Sequence, residues 1–75
     1  MDKVILFHEY TYVAQVYDAD EYYATEDGIS YITNDILKAE PFATMQSLAL
    51  WMQEEGVETY HIVEVEELKT RRVIL

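Results

Sequence analysis

His8 and His61 are the only imidazoles of this 75-residue chain, and Ser30 and Ser47 its only serine hydroxyls. Together with 15 Asp and Glu side chains they are the groups that could hold a metal, attack a carbonyl or move a proton. There is no cysteine, which excludes a disulfide framework, a zinc–thiolate site and a thiol nucleophile. Asp18, Asp20, Glu26 and Asp27 invite a calcium loop. Such a loop needs Gly at its sixth position and Glu at its twelfth. Counted from Asp18 those positions hold Tyr23 and Ile29, so the pattern fails. His8 and His61 would become neighbours only if their strands paired in a suitable register; with Glu9 or Glu64 they would then make a divalent-ion site, but no fixed spacing supports it. Neither serine sits in a glycine elbow, and two glycines, Gly28 and Gly56, build no phosphate cradle. Close carboxylate pairs are inevitable among 15 acids and carry little information on acid–base chemistry. The reading is therefore not an enzyme, with no catalytic residue, no metal and no cofactor.

The elements that would position any site follow from local pattern. Residues 3–9 and 11–17 both read as extended. No turn residue separates them, so one long bent strand and two strands are equal alternatives. Asp18-Ala19-Asp20 reads as a turn and Glu21–Thr25 as a strand. Asp27-Gly28 is a tight-hairpin signal, because Gly28 adopts positive φ freely, and Ile29–Thr33 is the returning strand. Residues Asn34–Glu40 form a connection with one helical turn at Asp35–Lys38. Pro41 suits a first helical turn. Phe42, Met45, Leu48, Ala49 and Met52 fall within about 120° on a helical wheel, and Gly56 follows as a left-handed cap. This predicts a helix over residues 41–55, with Leu50 exposed and Trp51 at the stripe edge. Val57–Val65 reads as a strand whose core face is Val57, Thr59, His61, Val63 and Val65. Residues Glu66–Thr70 read as a turn or short helix, and Arg71–Leu75 as a short edge strand. The sum is a single α+β domain over residues 1–75: a small two-layer fold, an antiparallel sheet of about four strands with the helix on one face.

Charge is the informative property. The formal net charge is −10. Residues 1–68 hold all 15 acids and only Lys3 and Lys38 as bases, so they carry −13; Lys69, Arg71 and Arg72 give the last seven residues +3. Direct binding to nucleic acid needs a basic face, and so does an anionic membrane; neither is expected. The apolar run Val4–Phe7 is too short to span a bilayer or to serve as a signal peptide, which makes the expected location cytoplasmic. A basic partner is the natural complement.

Two acid clusters and an excess of tyrosine locate the expected surface. One cluster is Asp18, Asp20, Glu21, Glu26 and Asp27. The other is Glu54, Glu55, Glu58, Glu64, Glu66 and Glu67. In a strand, Glu58, Glu64 and Glu66 would share one face, with about 6–7 Å per two-residue step, a spacing comparable to that of phosphates along a nucleic-acid strand. Seven tyrosines stand against two phenylalanines. Adjacent Tyr22 and Tyr23 must point to opposite faces, and with Trp51 they are the expected contact anchors. In general character (small, acidic, cysteine-free, tyrosine-rich) the chain is similar to inhibitors encoded by phages and mobile elements, anti-CRISPR and anti-restriction proteins among them, although no residue motif carries a family. The charge asymmetry, with the two acid clusters and the tyrosines, points to an inhibitor that mimics nucleic acid in the basic groove of a nucleic-acid-binding protein. The expected partner-binding residues are Asp18, Asp20, Glu21, Tyr22, Tyr23, Glu26, Asp27, Trp51, Glu58, Glu64, Glu66 and Glu67. The alternative is a small self-associating module, a homodimer pairing through Val4–Phe7 and the apolar end Val73-Ile74-Leu75, with Arg71 and Arg72 meeting acids of the second subunit.

Overall fold

A computed structural model of the chain describes residues 2–74, with the side chains of residues 2–72. Strand β1 (Asp2–Val16) is followed by β2 (Tyr22–Glu26), β3 (Ile29–Thr33), a short 3-10 turn (Ile36–Lys38), helix α1 (Met45–Glu54) and β4 (Tyr60–Ile74). The four strands form one sheet in the order β3-β2-β1-β4, with every pairing antiparallel. This is a small two-layer α+β fold.

Local chemistry explains the short elements. At the β2–β3 hairpin Asp27 and Gly28 both take positive φ, 51° and 78°, the backbone of a type I′ turn. Thr44 caps α1: its Oγ1 accepts from Ser47 N–H at 3.1 Å, satisfying an otherwise orphaned donor. The helix ends at Gly56 (φ 74°). There Gly56 N–H donates to Gln53 C=O and Val57 N–H donates to Met52 C=O, the paired bonds of a Schellman cap. The cap also drops Val57 beside Met52 in the core.

The helix is shorter than the predicted 41–55. Pro41 and Phe42 precede it in extended chain, and Phe42 forms a β-bridge with Tyr12 of β1. The bridge uses both backbone groups of Phe42, at 2.8 and 2.9 Å, so the residue cannot also start a helix. Just before it, Glu40 N–H donates to Tyr23 C=O of β2 at 3.1 Å, and Thr25 Oγ1 donates to the Glu40 carboxylate at 2.6 Å. Residues 40–42 thus tie β1 to β2 beyond the point where the two strands pair directly, at Gln15 and Tyr22.

The two long strands resolve one open alternative and correct two expectations. Residues 3–17 are one strand up to Val16. Glu66–Thr70 is neither turn nor helix, and the predicted strands Val57–Val65 and Arg71–Leu75 are one element beginning at Tyr60. The cause is non-local: β4 pairs with β1 without a break from Val16↔Tyr60 to Asp2↔Ile74. Leu75, part of the expected apolar end, lies outside the described residues.

The core sits at one end of this ladder. Ala14, Leu48 and Met52 are fully buried, with Tyr12, Tyr23, Phe42, Trp51, Val57 and Tyr60 packed around them. Ala14, Tyr12 and Tyr60 share a face of the sheet, so α1 covers the face opposite the one expected. Val13, Val63 and Val65 lie on the other face. The connection through Ile36 and Ala39 lies against Val13 and Val65 there, while His61 on the same face stays exposed. Both faces at the base of the sheet are therefore apolar and covered, which is why the choice of core face from one strand alone failed. Met45 and Ala49 are exposed rather than core, and Leu50 is exposed as expected.

Beyond Tyr12 the remainder of β1 and its partner segment leave this core as a two-stranded arm. Nine residues, Asp2–Tyr10, pair with Glu66–Ile74, about 30 Å of extended chain. The radius of gyration is 15.3 Å and the longest dimension 50 Å; a compact chain of this length would have a radius near ~11 Å. No helix among the described residues is long and apolar enough to cross a membrane.

Candidate protein-binding surface

The arm and the body differ in charge. Of the 15 acids, only Asp2, Glu9, Glu66 and Glu67 lie outside residues 11–65, and of the 5 bases only Lys38 lies inside. The body therefore carries 11 acids against 1 base, a formal −10, and the arm is balanced. The ion pairs found among the described residues all lie in the arm. Lys69 reaches Glu9 at 2.9 Å and Glu67 at 3.5 Å, His8 meets Glu66, and Arg72 stands 3.9 Å from Asp2. The hydrogen bond and charge of Glu9, with Glu67 behind it, hold the Lys69 ammonium above its usual range. None of the 11 body carboxylates has an ion-pair partner among the described residues.

The first predicted cluster is split by the fold. Asp18, Asp20 and Glu21 lie in the β1–β2 turn, whereas Glu26 and Asp27 lie at the other end of β2, about 16 Å of strand away. The turn is well fixed. Ala19 N–H donates to Val16 C=O at 3.2 Å, Gln15 Nε2 donates to Ala19 C=O at 3.0 Å, and Asp18 takes a left-handed φ of 60°. An open recess of Gln15, Asp18, Ala19, Asp20 and His61 forms at this end of the sheet. Beside it the Tyr17 ring stacks on His61, with centroids 5.0 Å apart and planes 16° from parallel. Tyr17, 54% exposed, is an aromatic side chain beside the acidic turn that the sequence did not single out. Its signal was its place directly before the acidic turn. At the hairpin tip, Glu26 and Asp27 border Ile29 and Tyr31.

The second cluster is also divided. Glu58 lies in the irregular segment before β4, so the expected row of three becomes Glu64 and Glu66 alone on one face, opposite Tyr12 and Tyr10. Glu66 is engaged by His8 and, at a long 3.5 Å, by the Tyr10 hydroxyl. Its charge, with that of Glu64, pushes the Tyr10 phenol above its usual range. Glu67 points to the other face, opposite Glu9, where Lys69 bridges the two. Glu54 and Glu55 stand exposed at the helix C-terminus.

The expected anchors are more enclosed than their sequence suggests. Tyr23 packs on Leu48 and Met52, and Tyr22 is half-buried on the opposite face. Neither is fully outward, because both faces at this level are covered. Trp51 packs against Phe42 with ring centroids 5.2 Å apart; its free edge, with Tyr31, Ile32 and Val57, lines a shallow recess.

His8 and His61 do lie on paired strands, but His8 faces Leu68 and His61 faces Gln15. Seven residues of β1 separate the two positions, roughly 23 Å. Among the described residues no group of three or more potential metal ligands converges.

No family model, curated protein or solved structure matches this chain.

Proposed function

We propose that this chain is a non-enzymatic acidic binding protein. Its body occupies the basic, nucleic-acid-binding groove of a partner protein, as an inhibitor of the anti-CRISPR or anti-restriction kind does. One observation carries the reading: 11 carboxylates on a body with a single base, none of them neutralised by an ion pair within the described residues. Such a body repels itself, a standing cost that a basic partner relieves. The fixed turn of Asp18, Asp20 and Glu21 presents charge from rigid backbone. Tyr17 stacked on His61 beside it supplies contact area at low entropy cost. The hairpin tip at Glu26 and Asp27 adds a second charged point about 16 Å along β2. The acids act as separated clusters on a rigid frame, not as one continuous row.

The test is competition. Labelled duplex or single-stranded DNA is bound to a panel of basic nucleic-acid-binding proteins, and this protein is titrated in. Release of DNA from at least one member, weakened by salt, supports the reading. Its absence from every member at low salt, where attraction between opposite charges is strongest, refutes it for that panel's groove type.

A further inference from the structure

The backbone of β1 has a defined phase. Tyr12 turns its N–H and C=O away from β4 to bond Phe42, and Val16 N–H likewise turns away to Glu21. Antiparallel pairing alternates these directions residue by residue. Val4, Leu6, His8 and Tyr10 therefore direct their backbone groups to the open edge of the arm, and the odd-numbered residues bond β4. Along this edge, from Asp2 to Tyr10, no further strand pairs among the described residues.

The two edges of the arm are not equivalent. From Glu64 to Arg72, β4 carries Glu64, Glu66, Glu67, Lys69, Arg71 and Arg72, the charged side chains that guard an edge against pairing. From Val4 to Phe7, β1 carries no charge at all. Val4 and Leu6 are 59% and 64% exposed. A two-stranded ribbon in water is marginal, and three or more strands are needed for independent stability.

We propose that a second copy of this chain covers this edge. Residues Asp2–Tyr10 of β1 pair antiparallel with the same residues of the second copy, about a two-fold axis at Leu6. An axis normal to the sheet returns each face to itself, so even residues meet even residues and hydrogen-bonding groups meet each other. Centring on Leu6 uses the whole open span. Asp2 then faces Tyr10, Val4 faces His8, Ile5 faces Phe7, and Lys3 faces Glu9 on both sides of the axis. Centring on Ile5 or on Phe7 would set Lys3 against Phe7 or Ile5 against Glu9. The charge match selects the Leu6 register. The product is a four-stranded central sheet, β4-β1-β1-β4, whose outer edges are the charged ones, so pairing closes at two copies.

Sedimentation or light scattering gives the test. The wild-type chain is expected at twice its 8.8 kDa mass at micromolar concentration. Leu6→Pro removes an N–H that faces the open edge and leaves the β4 ladder intact; it should give a folded monomer by circular dichroism. Lys3→Glu sets Glu against Glu9 twice and should weaken the dimer roughly tenfold. Adding Glu9→Lys to it gives up the Lys69 ion pair within each chain but restores opposite charges across the axis, so affinity should recover above that of Lys3→Glu alone, a result that misfolding would not produce. A wild-type mass of 8.8 kDa at all concentrations overturns the proposal. So does a dimer that persists unchanged in both Leu6→Pro and Lys3→Glu.

Discussion

Tyr12 and Phe42 exchange both of their backbone hydrogen bonds, at 2.8 and 2.9 Å, and this bridge divides β1 in two. On its body side the strand is enclosed by α1, the 36–41 connection and β2. On its other side the same strand runs on with an open edge and exposed side chains. The charge division follows the same line, with the −10 body on one side and the balanced arm on the other.

Replacing the glycine that shapes the β2–β3 turn should carry a cost on conformational grounds alone. Gly28 has φ 78°, and a Cβ placed there would meet nothing within 4 Å. Gly28→Ala is expected to cost about 1 kcal/mol, the left-handed penalty for a residue with a Cβ. Urea unfolding measures it; an unchanged midpoint would mean that the turn does not keep its positive φ.

Local chemistry was the legible part of the sequence. Asp27-Gly28, the Gly56 cap and the single helical turn at Asp35–Lys38 were readable because each depends on neighbours in the chain, whereas of the five-residue helical stripe only Leu48 and Met52 are buried in the helix. The 15-residue β4 was not legible, and β1 was so only as one of two alternatives. Glu66–Thr70 looks like a turn in isolation and is extended because β1 pairs with it across the sheet. Tyr22 and Tyr23 alternate faces as expected, but the sequence does not say that both faces are covered. The acid clusters were visible as composition, and only the fold separates Asp18–Glu21 from Glu26–Asp27. Tyr17 was overlooked because its partner, His61, lies 44 residues away on β4.

The core is small enough that one truncation should be decisive. Leu48 is fully buried, and Leu48→Ala is expected to lose about 2–5 kcal/mol, a large share of what a domain this size holds. Leu50, two residues on and 62% exposed, should change stability by less than about 0.5 kcal/mol as Leu50→Ala. Thermal unfolding of the two variants side by side would reveal a reversed helix face if their order were inverted.

Tyr10 should ionise later than an ordinary tyrosine, whose value is 10.0, because the Glu66 charge opposes a phenolate beside it. The folded chain keeps this proton more tightly than the unfolded one. The group's contribution is therefore intact below pH 10 and declines as pH rises through the raised folded value. In phenolate absorbance the Tyr10 step should move back towards 10.0 in Glu66→Gln. No movement would place Glu66 away from the Tyr10 ring.

Self-repulsion in the body should make the fold salt-sensitive. Raising salt from about 0.01 M to about 1 M shortens the screening length from roughly 30 Å to roughly 3 Å, and stability should rise. The combined variant Asp20→Asn, Glu21→Gln, Glu26→Gln should be more stable at low salt and gain less from added salt. A variant less stable than wild type at low salt would mean that these acids have internal partners.

The central claim is that the unneutralised body carboxylates await a basic partner. Affinity capture from a native lysate, with the tagged protein washed at low and then at high salt, tests it most directly. A nucleic-acid-binding protein should be retained at low salt, shed at high salt, and lost when Asp18, Asp20 and Glu21 are changed to Asn, Asn and Gln. Recovery of no protein other than the chain itself, at any salt, would contradict it and return the acid clusters to a role in solubility.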